Sequence, residues 1–155
     1  MKNIFINGIN AKSGGGKSIL TNFIKALSLS DRISDKTFFF LVPNYESYIK
    51  FESKRIRIQT IPEWQQKTIF YPFINSFILP RLIKRYNCEL IFNLSDLPIP
   101  LFNKQIFLFD WPYAAFIDSI VWKTMSAKDY FVRRVKLLLF KKNVKYLDIL
   151  IAQTK

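Results

Sequence analysis

Short apolar runs alternate with amphipathic segments along the whole chain. Runs of this kind predict strands at 4–6, 37–42, 55–61, 89–94, 105–109 and 146–152. Between them, apolar positions at helical spacing predict helices over 19–27, over 63–86 and over 126–143. Strands that are apolar throughout, alternating with helices, predict a Rossmann-like α/β fold: a parallel sheet with helices on both faces.

Two of the predicted helices have further predicted features: prolines that interrupt one of them and an apolar face on the other. Pro72 and Pro80 lie inside the 63–86 region and should kink or divide it, because proline lacks an amide proton and clashes with the preceding turn. On the last helix, an apolar face is predicted that contains four residues, Val132, Val135, Leu138 and Leu139.

The chain is predicted to be one domain over 1–155, because no linker, repeat or low-complexity segment divides it. It stops directly after the last predicted strand, where folds of this kind normally continue into another helix. We therefore expect it to be a piece of a larger protein.

Three of the four glycines are consecutive and stand between the first strand and the first helix. Gly14, Gly15, Gly16 and Lys17 form this loop. Amides at a helix start are unpaired, and the helix dipole adds positive potential there. The arrangement is typical of a phosphate-binding loop; the alternative is a tight turn without a ligand.

The same loop also matches most of a nucleotide-triphosphate P-loop. Residues 11–18 have the required spacing, with Lys17 for phosphate and Ser18 for magnesium, and Asp110 ends an apolar run as a magnesium partner would. Ala11, however, stands where that motif has its first glycine. A P-loop nucleotide-binding protein for ATP or GTP therefore remains an alternative.

Composition restricts the chemistry. The chain has 24 Lys and Arg against 11 Asp and Glu, a net charge of +13, which suits nucleic acid, an anionic membrane or phosphorylated substrates. It has no His and a single cysteine, Cys88, so a metal site is not expected and no cofactor is predicted. Cys88 is predicted to be a small buried apolar residue, and its isolation fits a reducing cytoplasm.

Four segments in order, at 13–20, 93–100, 108–113 and 147–154, together resemble the N-terminal domain of family 4 glycosyltransferases, which have the two-domain GT-B architecture. The resemblance implies transfer of a hexose from a nucleotide sugar to a saccharide or lipid-linked acceptor, as in polysaccharide biosynthesis. A C-terminal domain, absent here, would bind most of the donor. Gly14, Gly15, Gly16 and Lys17 would then meet the donor phosphates, and the isolated chain would be inactive.

The resemblance also assigns an acceptor site. Many relatives carry His where this chain has Asp110, which could act as the catalytic base or accept a hydrogen bond from an acceptor hydroxyl. Trp111 and Tyr113 would line the acceptor pocket. The alternatives are that Asp110 caps a turn and that the aromatic residues are packing.

Basic residues follow two apolar helical runs. Arg81, Lys84 and Arg85 form the first group, and the second comprises Arg133, Arg134, Lys136, Lys141, Lys142 and Lys145. Such patterns favour a peripheral position on an anionic membrane face at the cytoplasmic side. A solvated helix face is the alternative. A basic membrane or nucleic-acid adaptor is a further alternative function, but no nucleic-acid recognition motif is present, and nucleic acid is not predicted as a partner.

Overall fold

The computed structural model describes residues 2–31, 35–102, 104–111, 116 and 118–152. Six strands form one sheet: β1 (Lys2–Asn7), β2 (Lys36–Leu41), β3 (Ile56–Gln59), β4 (Cys88–Asn93), β5 (Gln105–Phe109) and β6 (Ile149–Ala152). Every pairing between neighbouring strands is parallel. The predicted α/β fold with a parallel sheet is therefore confirmed.

The strand order is β3-β2-β1-β4-β5-β6. From β1, the strands β2 and β3 extend the sheet in one direction, and β4, β5 and β6 extend it in the other. The order therefore reverses between β1 and β4, and open α/β sheets bind ligands outside the carboxyl ends of the strands at such a switch point.

In the part of the chain that the structure describes, five α-helices connect the strands: α1 (Gly14–Ser28), α2 (Tyr71–Phe73), α3 (Leu79–Arg85), α4 (Ile120–Thr124) and α5 (Ala127–Asn143). Neighbouring residues of β1 point to opposite faces of the sheet. Ile6 packs in one core cluster with Leu20 and Ile24 of α1, whereas Phe5 packs in another with Ile83 of α3. Helices thus cover both faces of the sheet.

The region with two prolines is helical but interrupted, as its sequence predicts. A π-helical segment, Ile74–Ile78, lies between α2 and α3, and Pro72 and Pro80 each occupy the first turn of an α-helix. Pro72 lies where the helical stretch begins, and Pro80 directly follows the π-helical segment, where the regular α-helical hydrogen bonding is already interrupted.

The face of α5 differs from the prediction at one position. Leu138, assigned to the apolar face, is 67% exposed, whereas its neighbour Leu137 is buried and packs with Trp111 and Trp122. Adjacent leucines lie about 100° apart around a helix, and the tertiary contact with the two tryptophans selects between them. Helix α4, which carries Trp122, was not predicted.

Cys88 packs as predicted. Its side chain belongs to the core cluster that contains Phe5 and Ile91. Burial raises the pKa of the thiol to about 12, so the side chain stays protonated at neutral pH. The structure therefore gives Cys88 a packing role.

The first residue of β5 organises the chain that leads into it. Gln105 is fully buried, and its amide donates to the carbonyl oxygens of Ile99 (2.5 Å), Phe102 (2.7 Å) and Tyr146 (3.3 Å). Its Oε1 accepts from the Ile99 amide at 2.9 Å. One side chain therefore fixes the loop between β4 and β5 and also the entry to β6.

We predict that Gln105→Met, which keeps the side-chain length, destabilises the fold by about 2–4 kcal/mol, because it leaves buried backbone groups of Ile99 unpaired. The measurement is the free energy of unfolding from urea titration. Gln65→Met is the control, since that side chain is only half-buried. An equal, small effect of both substitutions would contradict the organising role of Gln105.

Candidate functional site

The loops at the carboxyl ends of the strands carry every site residue that the sequence predicted within the described ranges. The glycine loop follows β1, and Asp110 and Trp111 follow β5 directly. Tyr113 lies outside the residues that the structure describes. Because all strands are parallel, these loops share one edge of the sheet.

Two buried amide side chains are hydrogen-bonded to each other at the switch point, beneath these loops. Asn7 ends β1 and Asn93 ends β4, both are fully buried, and Asn7 Nδ2 donates to Asn93 Oδ1 at 3.0 Å. Asn93 Nδ2 in turn donates to the Leu97 carbonyl, and its Oδ1 accepts from the Ser95 amide. The network fixes the loop that carries Asp96.

The glycine loop begins α1 with its backbone facing open space. Gly14 has φ of 58°, a left-handed conformation that favours glycine. A Cβ added at Gly14 or Gly15 would meet no atom within 4 Å, and all three glycines and Lys17 are exposed. The N-cap residue Ser13 makes no side-chain capping bond, and no acidic residue occupies the first turn. The helix start is thus open to an anion.

The residues that a P-loop would use, Lys17 and Ser18, lie at the start of α1. Ser18, the residue that would hold magnesium, donates its hydroxyl back to the Gly14 carbonyl at 3.3 Å. The helix already begins at Gly14, so Lys17 and Ser18 lie within its first turns. This geometry leaves the amides at the helix start open to a phosphate group and does not distinguish between the two interpretations of the loop.

Lys17 also lines a cavity of about 750 Å³ on the side of β1, β2 and β3, which we call the β1–β3 cavity. Its walls are residues 11–12 and Lys17, the loop after β2 and the loop after β3. Sequence reasoning missed Lys12 and Tyr48 there, because nothing in their local pattern marks them.

Asp110 lines a different, smaller cavity of about 240 Å³, the Asp110 cavity, with Asp96, Trp111, Arg133 and Lys136. The glycine loop does not contribute to it. Asp110 is at the predicted sheet edge, but its neighbours come from the loop after β4 and from α5. Lys136 and Asp96, forty residues apart, form a short ion pair in its wall.

The surroundings of Asp110 disfavour its charge. Partial burial raises the pKa of the carboxyl, and the negative charge of Asp96 raises it further, whereas its own backbone amide and Lys136 lower it. The net direction is upward. A raised pKa brings a carboxyl group closer to the range in which it can exchange protons near neutral pH.

Trp111 is mostly a packing residue. It is 7% exposed, and its ring lies 5.8 Å from Phe109 and 6.0 Å from Phe140, measured between centroids. It nevertheless lines the Asp110 cavity. The packing interpretation therefore describes this residue, and its contact with an acceptor sugar stays a prediction.

The second basic group is largely engaged within the fold. Lys136 pairs with Asp96, and Arg134 lies over the rings of Trp122 (4.8 Å) and Tyr130 (5.1 Å). Arg81, Lys84 and Arg85 of the first group are exposed on α3. The basic surface available to a partner therefore comprises α3 and the end of α5, where Lys141 and Lys142 are exposed.

Within the described residues, no three or more Asp, Glu or Cys side chains come together as a metal site would require. Across those same ranges, none of the helices combines the length and the apolar character needed to cross a bilayer. No family model, no curated protein and no solved structure matches this chain.

We predict that Asp110→Asn stabilises the fold at pH 7.5 or leaves it unchanged. The pKa of Asp110 is higher in the folded state than in the unfolded state. Its contribution to the free energy of unfolding is therefore fully present below the pKa of the unfolded state and is lost as pH rises through the pKa of the folded state. Asparagine stays neutral throughout, so the difference between variant and parent should shrink near pH 4. The urea midpoints of the parent and the variant at pH 7.5 and pH 4 measure this difference in stability. A clear loss of stability at pH 7.5 would instead indicate a turn-capping role.

Proposed function

We propose that the chain is the N-terminal, acceptor-side domain of a glycosyltransferase similar to family 4 enzymes, and that it works with a second, donor-binding domain. The observation that carries the proposal is the shared carboxyl edge of the parallel sheet. There an exposed glycine-rich helix start and a carboxyl group with a raised pKa lie on the two sides of the switch point. Sugar transfer from a nucleotide donor needs both chemistries: anion binding and proton exchange.

The glycine loop supports the donor side of this proposal. Its amides and Lys17 face solvent without a capping side chain, so they are free to meet the phosphates of a nucleotide sugar held by the second domain. Glycines at 14–16 let those phosphates approach the backbone.

Asp110 supports the acceptor side. It would accept a proton from the attacking acceptor hydroxyl as general base, and a raised pKa improves a carboxylate for that role. Lys136 and Arg133 line the same cavity and would attract a phosphate that links the acceptor to a lipid. Trp111, and Tyr113 by resemblance, would form the wall against the sugar.

A lipid-linked acceptor is favoured by the groove next to the Asp110 cavity. Lys136 lines both the cavity and this groove of about 630 Å³, whose walls are mainly apolar and include Ile69, Leu97 and Phe131. An apolar chain could lie in the groove while its polar head reaches Asp110.

The groove opens beside a surface that suits the membrane. Five exposed apolar side chains, which we call the aromatic ridge, lie before and along the π-helical segment: Trp64, Ile69, Phe70, Phe73 and Phe77. The basic residues of α3 follow on the same helical stretch. Aromatic side chains next to cations are typical of docking on an anionic bilayer.

The alternatives have less support. Ala11 stands where the P-loop motif has its first glycine, which weakens that interpretation. A basic membrane or nucleic-acid adaptor would use the exposed charge of α3, but it gives no role to the glycine loop or to Asp110.

We predict that the 155-residue chain alone transfers no sugar. In a protein that joins it to a nucleotide-sugar-binding domain, Asp110→Asn should lower the transfer rate about 10²- to 10⁴-fold, the usual contribution of a general base. Transfer of labelled sugar to a lipid-linked acceptor is the measurement. Asp148→Asn is the control, since Asp148 is exposed on the approach to β6. Transfer by the chain alone would overturn the proposal, and undiminished turnover of Asp110→Asn would remove Asp110 from it.

For the membrane, we predict that the chain sediments with vesicles containing anionic lipid and that salt weakens this binding, because surface charges are screened over about 10 Å at 0.1 M. Replacing Phe73 and Phe77 with serine should reduce binding at every salt concentration. The control is Leu29→Ser, which removes an exposed apolar residue at the end of α1. Binding that is insensitive to salt, or an equal effect of the control, would contradict the assignment of this surface.

A further inference from the structure

The Asp110 cavity has two carboxyl groups and two cationic groups in its wall. Asp96 and Asp110 come from the loops after β4 and β5, and Arg133 and Lys136 come from α5. Asp110 itself is exposed, so a ligand can reach its carboxyl group. How the cations are shared between the two carboxylates therefore decides how readily Asp110 takes up a proton.

Lys136 is bonded to Asp96. The two side chains form an ion pair, and both are partly shielded from water, with 23% of the lysine and 31% of the aspartate side chain exposed. Among the residues that the structure describes, Asp110 forms no ion pair. Burial and the negative charge of Asp96 raise the pKa of Asp110, and the smaller opposite effect of Lys136 does not cancel them. The ammonium group thus stabilises the charge of Asp96 and not that of Asp110.

The backbone on both sides of Asp96 is held in place. Ser95 and Leu97 are buried, and both bond to the Asn93 side chain, the Ser95 amide at 3.1 Å and the Leu97 carbonyl at 2.9 Å. The Ser95 hydroxyl also accepts from Asn10 Nδ2 at 3.4 Å. Asp96 therefore lies in a short, fixed loop, and the side chain that fixes this loop is the one that joins β4 to β1.

Lys136 is held from the side of α5. Its neighbour Leu137 is buried against two tryptophans, which fixes this part of the helix. The Lys136 ammonium group also lies 6.0 Å from the centre of the Tyr71 ring. Tyr71 is buried, and burial and the charge of Asp96 hold the pKa of its hydroxyl well above the ordinary value, so Tyr71 adds no charge near the pair. The ion pair is thus a fixed part of the structure.

We propose that Asp96 is a positioning residue for Asp110: it holds Lys136 and so keeps the ammonium group from pairing with Asp110, whose carboxyl group is left to exchange a proton with a ligand hydroxyl. A carboxylate paired with an ammonium group is a weaker base, because the pair favours the charged form. This inference rests on the proposed role of Asp110 in transfer. The arrangement of charges, however, belongs to this chain alone, so it can be measured without a second domain and without transfer.

The first test is an NMR titration of the carboxyl carbons in the 155-residue chain, in which the Asp110 signal is the one lost in Asp110→Asn. Asp96→Asn should lower the proton affinity of Asp110 about three- to ten-fold, because the like charge is removed and Lys136 is released. Glu89→Gln is the matched control, since it removes an equal charge from the exposed, amino-terminal part of β4. If Asp96→Asn leaves the titration of Asp110 unchanged, or if the control shifts it equally, the proposal is overturned.

A double-variant cycle tests whether Lys136 is the group that Asp96 holds. In the parent, Lys136→Met should change the proton affinity of Asp110 only slightly, because the ammonium group is bonded to Asp96. In the Asp96→Asn background, the same substitution should raise it about three-fold or more, because Lys136 is then free to pair with Asp110. Lys142→Met, at the exposed end of α5, is the control for the loss of a positive charge. Equal effects of Lys136→Met in the two backgrounds would mean that Asp96 acts only through its own charge, and the positioning role would be wrong.

The last test separates this inference from the proposed function. In a protein that joins the chain to a nucleotide-sugar-binding domain, Asp96→Asn should move the acid limb of the pH profile of kcat/KM to lower pH, in the same direction as the NMR titration of Asp110. If the NMR titration shifts and the pH profile does not, Asp110 is not the catalytic base, while the hold of Asp96 on Lys136 stands. A shifted pH profile without a shift in the NMR titration would overturn the inference and leave the proposed function standing.

Discussion

A hydrogen bond between two buried amide side chains, from Asn7 to Asn93, joins the carboxyl ends of the two central strands. Both side chains are fully buried, so the bond forms in surroundings where an unpaired amide would be strongly unfavourable. Asn93 also binds the backbone of Ser95 and Leu97, which forces the chain to turn directly after β4. The loops on the two sides of this pair therefore diverge, and the space for ligands lies above it.

The divergence separates two chemistries at one sheet edge. On the side of β2 and β3, the glycine loop and two lysines border a roomy cavity that suits phosphate. On the side of β5, Asp110 lies with Asp96 and Lys136 in a smaller cavity that suits proton exchange. The proposed transfer from a phosphorylated donor would use both, anion binding on one side of the switch point and proton exchange on the other.

Two features of this edge bear on the proposed site. Gly14 takes a left-handed conformation that glycine adopts readily, and Asp110 lies where burial and Asp96 oppose its charge. Elsewhere, buried polar side chains such as Gln105 use their bonding capacity within the fold. A carboxyl group held where its charge is opposed is a candidate for a functional role.

The sequence by itself determined the alternation of strands and helices, the position of the glycine loop after β1, the position of Asp110 after β5 and the burial of Cys88. These follow from periodicity and from residue type, which act over a few neighbouring residues. Only the tertiary structure decided that Lys136 pairs with Asp96 and that Leu137 rather than Leu138 faces the core. The reason is physical: each depends on which distant segments pack together, and such contacts leave no local pattern in the chain.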